Sequence, residues 1–352
     1  MSIRRQKRDT EQVGSMKLLA ALDLPAVGER GRGSVDEMLR RLKAGAHASL
    51  DSRSRLHGLR VEAMFRAVLV SLGGFRLLVE EDEGQLYYDD AQGTPKLPDY
   101  RVVDSDGRQL LIEVKAVPPG PNRLRHSISA GEFQGLSLYG ELTGAPVAIA
   151  HYWAVMNVWT LIDLDQMARR GDRYEIELTE AMKLNQMARF GDANIGTVPP
   201  LELRLEVEEL GERESPDTAT IVTRKVELLA AGQELEDEVE RRIAFLLFRH
   251  GRWEVDMPAE TDSDGRVTSV TLRAAPPDDV MEIVERQGFA LVGALSSLYS
   301  AMFNELTLND EGAVERLDHH SEPGEFGTLI PADYFDREDR RLSLWVFRQQ
   351  PG

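Results

Sequence analysis

Residues 97–117, LPDYRVVDSDGRQLLIEVKAV, constrain the fold more than any other stretch of the chain. Two apolar runs around DSDG read as a β-hairpin. Yet the second run carries Glu113 and Lys115 where a buried strand takes Val or Ile. Lysine is scarce here: of 42 Lys plus Arg, seven are lysine, at 7, 17, 43, 96, 115, 183 and 225. A strand interior does not take unpaired charge without a reason. Side chains alternate along a strand, so Glu113 and Lys115 share one face while Ile112 and Val114 share the other. The turn decides what faces Glu113. A two-residue turn at Asp106-Gly107 sets Asp99 opposite Val114, on the wrong face. A three-residue loop with Gly107 left-handed pairs Asp104 with Arg108 and sets Asp99 directly opposite Glu113. Opposed Cβ atoms lie roughly 4.5–5.5 Å apart. Two carboxylates at that spacing repel unless a cation sits between them, and Mg²⁺ takes such oxygen ligands. The chemistry favours the three-residue register.

A third acid belongs to this neighbourhood. SRLHGLRVEAMFRAVLVSLGG reads as a helix stopped by Gly73 and Gly74. Its apolar face centres on Phe65 and Leu72, flanked by Val61, Met64, Val68 and Leu69. Glu62 falls at the edge of that face, which points its carboxylate along the seam between helix and sheet.

The remaining elements follow a layered order. Ser34 and Glu37 in SVDE form a capping box that opens a short first helix. FRLLVEED reads as a strand before the hairpin. SISAGEFQGLSLYGELTG is a helix capped by Ser129 and Glu132 and ended by Gly144, and APVAIAHYWAV and NVWTLIDL are strands. The order β, β, β, α, β predicts a mixed α/β sheet with that helix as crossover. The polar run GERESPDT suggests a boundary near 211–218. Beyond it TIVTRKVELL, RVTSVTLRA and RRLSLWVFRQQ read as strands. ELEDEVERRIAFLLFRHG and the long stretch 278–306 read as helices. The organisation expected is an N-terminal segment over 1–49, an α/β domain over 50–210 and an acidic α+β domain over 218–352.

Charge divides the same way. The net charge is −18. Residues 1–200 hold 26 basic and 27 acidic side chains, a net of −1; residues 201–352 hold 16 and 33, a net of −17. An acidic half repels phosphate, so any nucleic acid is expected to be handled by the first half. The chain has no cysteine, which excludes disulfides and thiolate metal sites. No apolar stretch is long enough for a membrane span, and the basic start lacks the apolar core of a secretory signal. A cytoplasmic location is the expectation, and the Arg-over-Lys bias fits a GC-rich bacterial genome.

Pro98-Asp99 followed by Glu113-Val114-Lys115, with Glu62 on the preceding helix and EFQGLSLYGELTG then PVAIAHYW after it, resembles the PD-(D/E)XK nuclease superfamily, the restriction-endonuclease-like fold. The resemblance covers roughly residues 50–165. It implies a metal-dependent nuclease hydrolysing phosphodiester bonds, of bacterial DNA repair, restriction or defence type. Mg²⁺ or Mn²⁺ would be held by Asp99, Glu113 and the Val114 carbonyl, with Glu62 directly or through water. Lys115 would orient or deprotonate the attacking water. Gln134 would contact phosphate or support the site. One feature departs from the exonuclease-like branch, which has a Tyr four residues after the Gln; here Tyr139 follows Gln134 by five. The loop PNRLRH, with Arg123, Arg125 and His126, would grip the nucleic-acid backbone. DNA is the implied partner, with RNA as the other nucleic acid. A homodimer would cut both strands of a duplex, and the acidic C-terminal part would serve a protein partner.

The alternative reading is a catalytically silent nuclease-like fold used for nucleic-acid binding or protein interaction. Other motifs lead nowhere. His319-His320 has no third ligand at suitable spacing. DSDG at 104 and 262 lacks the other acids of a calcium loop, so both read as turns. No phosphate-cradling GxxxxGK[ST] occurs.

Overall fold

The computed structural model of the chain describes residues 35–45, 52–81, 86–120, 124–215, 218–318, 330–331 and 333–348. Ser34 and the pair His319-His320 lie outside the described residues.

Helix α1 covers 35–45. Helix α2, Arg53–Leu72, opens on Ser52, whose hydroxyl accepts from the Arg55 N–H. It closes on Gly73 at φ 74°, a left-handed conformation that costs glycine little. The apolar positions predicted for its inner face are buried, Val61, Met64, Phe65, Val68 and Leu69 completely so.

That face covers a five-stranded sheet. The sheet holds β1 (Phe75–Glu80), β2 (Tyr100–Asp104), β3 (Gln109–Val117), β5 (Val147–Trp153) and β6 (Val158–Asp163), in that spatial order. Only the β3–β5 pairing is parallel, and helix α3 (Ala130–Thr143) lies in the connection between those two strands, as the element order requires. Strand alternation splits β3 between two cores. Leu110, Ile112 and Val114 pack in the core of α2, and Leu111 and Val117 in that of Leu136 and Tyr139 on α3. The architecture is α/β, a mixed sheet flanked by helices on both faces.

Two sequence expectations are corrected here. Arg125 and His126, expected in a basic loop, belong instead to strand β4 (Arg125–Ser129), which pairs with β8 (Arg173–Glu177), itself paired with β7 (Ala168–Arg170); residues 121–123 lie outside the described residues. The single helix expected over 278–306 is two helices and a strand. Helix α6 (Asp278–Gln287) stops at Gly288, φ 78°; β16 (Ala290–Ala294) follows; helix α7 (Leu295–Thr307) then begins. An edge of β9 (Asn194–Thr197) is open to β16, and pairing there wins over helix continuation. Helix α7 has no local side-chain cap. The buried Asp192 supplies one from a distance, accepting from the Ser296 N–H at 3.0 Å and the Ser296 hydroxyl at 2.6 Å.

Most of the rest of the chain adds to the α2 core, while Leu178 and Ala181 belong to the α3 core. A short helix α4 (Leu178–Lys183) leads to β9, which also pairs β17 (Leu344–Phe347). Strands β10 (Leu201–Ser215) and β11 (Thr218–Ala230) form a long hairpin, joined by β12 (Gln233–Glu234), β13 (Glu254–Asp256), β14 (Ala259–Thr261) and β15 (Val267–Ala275). Helix α5 (Glu238–His250) packs beside α7. Of the run 211–218, read from sequence as a boundary, residues 211–215 end β10 and Thr218 opens β11. Buried residues on either side of it share one core, from Val61 to Leu344. Polar ties reinforce it. The buried Arg60 donates to Asn304 and Thr307 on α7, both at 2.9 Å, and Trp159 donates to Ser300 at 2.8 Å.

A shared core predicts shared unfolding. Phe303 is fully buried on α7, in the same core as α2. Phe303→Ala is expected to cost about 3–5 kcal/mol and to shift a single transition, followed by calorimetry, in which the α2 region unfolds with the rest. Two separate transitions, with only one moved, would refute the shared core.

Candidate functional site

The hairpin turn sets the geometry. Asp104 pairs with Arg108 through Asp104 N–H to Arg108 O at 3.0 Å, and Gly107 sits at φ 86°. The Asp104 carboxylate accepts from the Asp106 and Arg108 N–H groups at 3.0 and 2.9 Å, and from Arg189 at 3.0 Å. The turn is the three-residue form. Tyr100 then lies opposite Ile112, which places Asp99, one residue earlier, opposite Glu113. Asp99 accepts a hydrogen bond from the Val114 N–H at 2.6 Å.

Glu113 is 3% exposed. Its Oε1 accepts from Lys96 at 2.6 Å and from Lys115 at 2.7 Å. Its Oε2 is buried and has no hydrogen-bond partner. Both lysines also reach Glu132, Lys96 at 2.5 Å and Lys115 at 2.8 Å. Four charges of alternating sign thus close a ring on the α3 face of the sheet. Burial alone would raise the Glu132 carboxyl, but the two lysines hold it down at about 2. Burial would likewise lower Lys115, and Glu113 with Glu132 overrides it, so Lys115 stays protonated well above its ordinary range.

Asp99 is in the opposite situation. Burial pushes its carboxyl up to about 8, and the nearby Glu113 and Glu62 add to the rise; the Val114 N–H and Lys115 oppose it. Glu62 is half-buried on α2, one turn before Arg66, and its backbone carbonyl accepts from the Tyr100 hydroxyl at 2.9 Å. The structure therefore brings Asp99, Glu113, Glu62 and Lys115 into one neighbourhood.

Among the described residues no three His, Asp or Glu side chains converge closely enough to enclose a metal ion by themselves. The donor set suits a less enclosed site. The buried Glu113 Oε2, which accepts no hydrogen bond, and the Asp99 carboxylate, disfavoured by burial and neighbouring acids, are hard oxygens of the kind a divalent cation takes. Mg²⁺ is commonly held by one or two carboxylates with its remaining positions left to water and substrate oxygens. The residues fit such an ion.

Other predicted residues are not brought together. The Gln134 side chain is exposed and reaches no part of the site; Glu132, two positions earlier on α3, reaches the lysines instead. Arg123 lies outside the described residues. Arg125 is spent on Glu175 at 3.4 Å and Glu177 at 2.5 Å. His126 turns inward to His151, 3.1 Å between ring nitrogens. Burial, then Lys115, lowers His126 to about 4, so it is neutral at pH 7 and offers no charge to a phosphate. Lys96 and Glu132 escaped the sequence reading as site residues. The rarity of lysine was the one signal for Lys96. Glu132 was hidden by its role in the cap: its N–H donates to Ser129 Oγ at 3.1 Å, while its carboxylate leaves the helix end for the lysines.

No protein-family model matches the sequence and no curated protein matches it. Among solved structures, the 1.6 Å structure of the Archaeoglobus fulgidus Hjc, a Holliday junction resolvase from an archaeal hyperthermophile, is similar over 38% of this chain and 95% of that chain, at 20% sequence identity and a TM-score of 0.29. At that TM-score the likeness assigns neither family nor activity to this chain. Among the described residues no helix is long and apolar enough to cross a membrane.

The Asp99 environment has a stability signature. The carboxyl ionises near 3.8 when unfolded and near 8 when folded. Between those values the native state holds a proton that the unfolded state lacks, so stability falls as pH rises through that window. Asp99→Asn cannot ionise. In EDTA it is expected to melt at least about 3 °C above the parent chain at pH 8.5 and to lose that advantage near pH 4. Equal melting curves at both pH values would contradict the strained carboxylate.

Proposed function

We propose that this chain is a divalent-metal-dependent nuclease of the restriction-endonuclease-like kind, hydrolysing phosphodiester bonds of DNA. One observation carries the reading. Asp99 faces Glu113 across a hairpin, with a buried carboxylate oxygen left without a partner and Lys115 two residues on, on the same face. The motif resemblance noted from sequence supports it.

In this reading Mg²⁺ or Mn²⁺ is held by Asp99, Glu113 and the Val114 carbonyl, with Glu62 alongside. When bound, such an ion supplies Lewis-acid stabilisation of the anionic phosphoryl group. The chain's own residues do the rest. Asp99 is positioned by the Val114 N–H. Lys115 remains an ammonium at neutral pH, so its part is to orient the attacking water and to offset charge that develops in the transition state, more than to take a proton. Glu113 fixes the Lys115 ammonium at 2.7 Å. DNA is chosen over RNA through the motif resemblance. Two active sites are needed to cut both strands of a duplex, and a homodimer would provide them.

The test is incubation of the full chain with plasmid, linear and single-stranded DNA and with RNA, in Mg²⁺ or Mn²⁺. The parent chain is expected to cleave DNA. Asp99→Ala and Lys115→Ala are each expected to lower the rate at least about 100-fold. Absence of cleavage by the parent chain, with DNA binding retained, would replace this reading by that of a silent binding module.

A further inference from the structure

We infer that Lys96 and Lys115 form a subsite for a backbone phosphate of nucleic acid beside the Asp99–Glu113 pair, and that Glu132 occupies it as a built-in stand-in for that phosphate. The inference rests on the chain acting on nucleic acid, and deepens it.

The two carboxylates of the ring are not equivalent. Glu113 is on a central strand, and its side chain is 3% exposed. Glu132 is on the first turn of α3, and its side chain is 25% exposed. An open cavity of about 470 Å³ lies on that side, lined by Thr94 to Leu97 and by Gly131, Glu132 and Gly135. Lys96 lines the cavity too, with its side chain 37% exposed. A ligand arriving through the cavity meets Glu132 and Lys96 and cannot replace Glu113. One Glu132 oxygen takes both ammonium groups, at 2.5 and 2.8 Å. A phosphodiester oxygen has the charge and hydrogen-bonding capacity to do the same. The positive end of α3, a 14-residue helix, opens on the same cavity.

The backbone is built to hold Lys96 there. Its N–H donates to the Gly135 carbonyl at 2.9 Å. A Cβ on Gly135 would stand 3.0 Å from Lys96 Cβ and 3.1 Å from the Thr94 carbonyl oxygen, so glycine permits this approach of the segment to α3. Without Glu132, the lysines would face only Glu113 and carry a net charge of about +1 toward the cavity. The carboxylate therefore stabilises the empty site and competes with an incoming phosphate.

The experiment reads binding separately from cleavage. Anisotropy of a labelled DNA duplex and of the matching single strand is measured in EDTA over a salt series, for the parent chain, Glu132→Gln, Lys96→Met and Lys96→Arg, with melting curves for each. Glu132→Gln is expected to bind about fivefold more tightly. Lys96→Met is expected to bind about tenfold more weakly, with a salt slope shallower by about 0.9, one phosphate contact. Lys96→Arg is expected to keep most of the affinity. Folded Glu132→Gln that binds no better than the parent would overturn the inference, because Glu132 would then be only a structural partner of the lysines. Cleavage by the parent chain in Mg²⁺, with superimposed binding curves for all variants, sinks the subsite and keeps the nuclease. The expected binding shifts without any cleavage keep the subsite and remove the hydrolytic activity.

Discussion

The turn at Asp104–Gly107 is the constraint on which the site depends. A strand pair has only two choices of face, and one residue of slip exchanges them. The buried Asp104 carboxylate ties down two N–H groups of its own turn and is held by Arg189. Gly107 supplies the left-handed step. With that turn, Asp99 and Glu113 face each other on the α3 side. With a turn one residue shorter, Asp99 would point into the apolar core under α2. A local hydrogen-bonding pattern thus fixes whether two acids meet or are separated by the sheet.

Once they meet, the electrostatics divide the labour. Glu113 takes two lysines on one oxygen and leaves the other bare. Asp99 is left with one backbone N–H and the repulsion of its neighbours. The lysines thus balance Glu113 and Glu132, while around Asp99 ionisation is disfavoured. A divalent cation suits the second region, and an anion that displaces Glu132 suits the first. The two regions share Glu113 and so are coupled through one side chain.

Much of the sheet was legible in the sequence. Helix α2 followed from its apolar periodicity and its terminal glycines, and α3 from Ser129 and Gly144. The facing of Asp99 and Glu113 followed from turn chemistry and the period of two. The misreadings have physical causes. The stretch 278–306 has enough helix formers to be read as one element, but an open edge of β9 captured its middle. PNRLRH looked like a basic loop because nothing local announces β8 as a partner for β4. The polar run 211–218 looked like a linker because hairpin ends and linkers share a composition.

The sequence by itself determined helices α2 and α3 and the hairpin, the shared face of Glu113 and Lys115, and the partner of Asp99, because turns and strand alternation act over a few residues. Only the tertiary structure decided that Lys96 and Glu132 complete the charged ring, that Arg125 and His126 are turned to other duties, and that α7 packs on α2 in one core. Those outcomes rest on contacts between segments far apart in the chain. Their geometry depends on how the sheet and helices pack, and no local pattern encodes it.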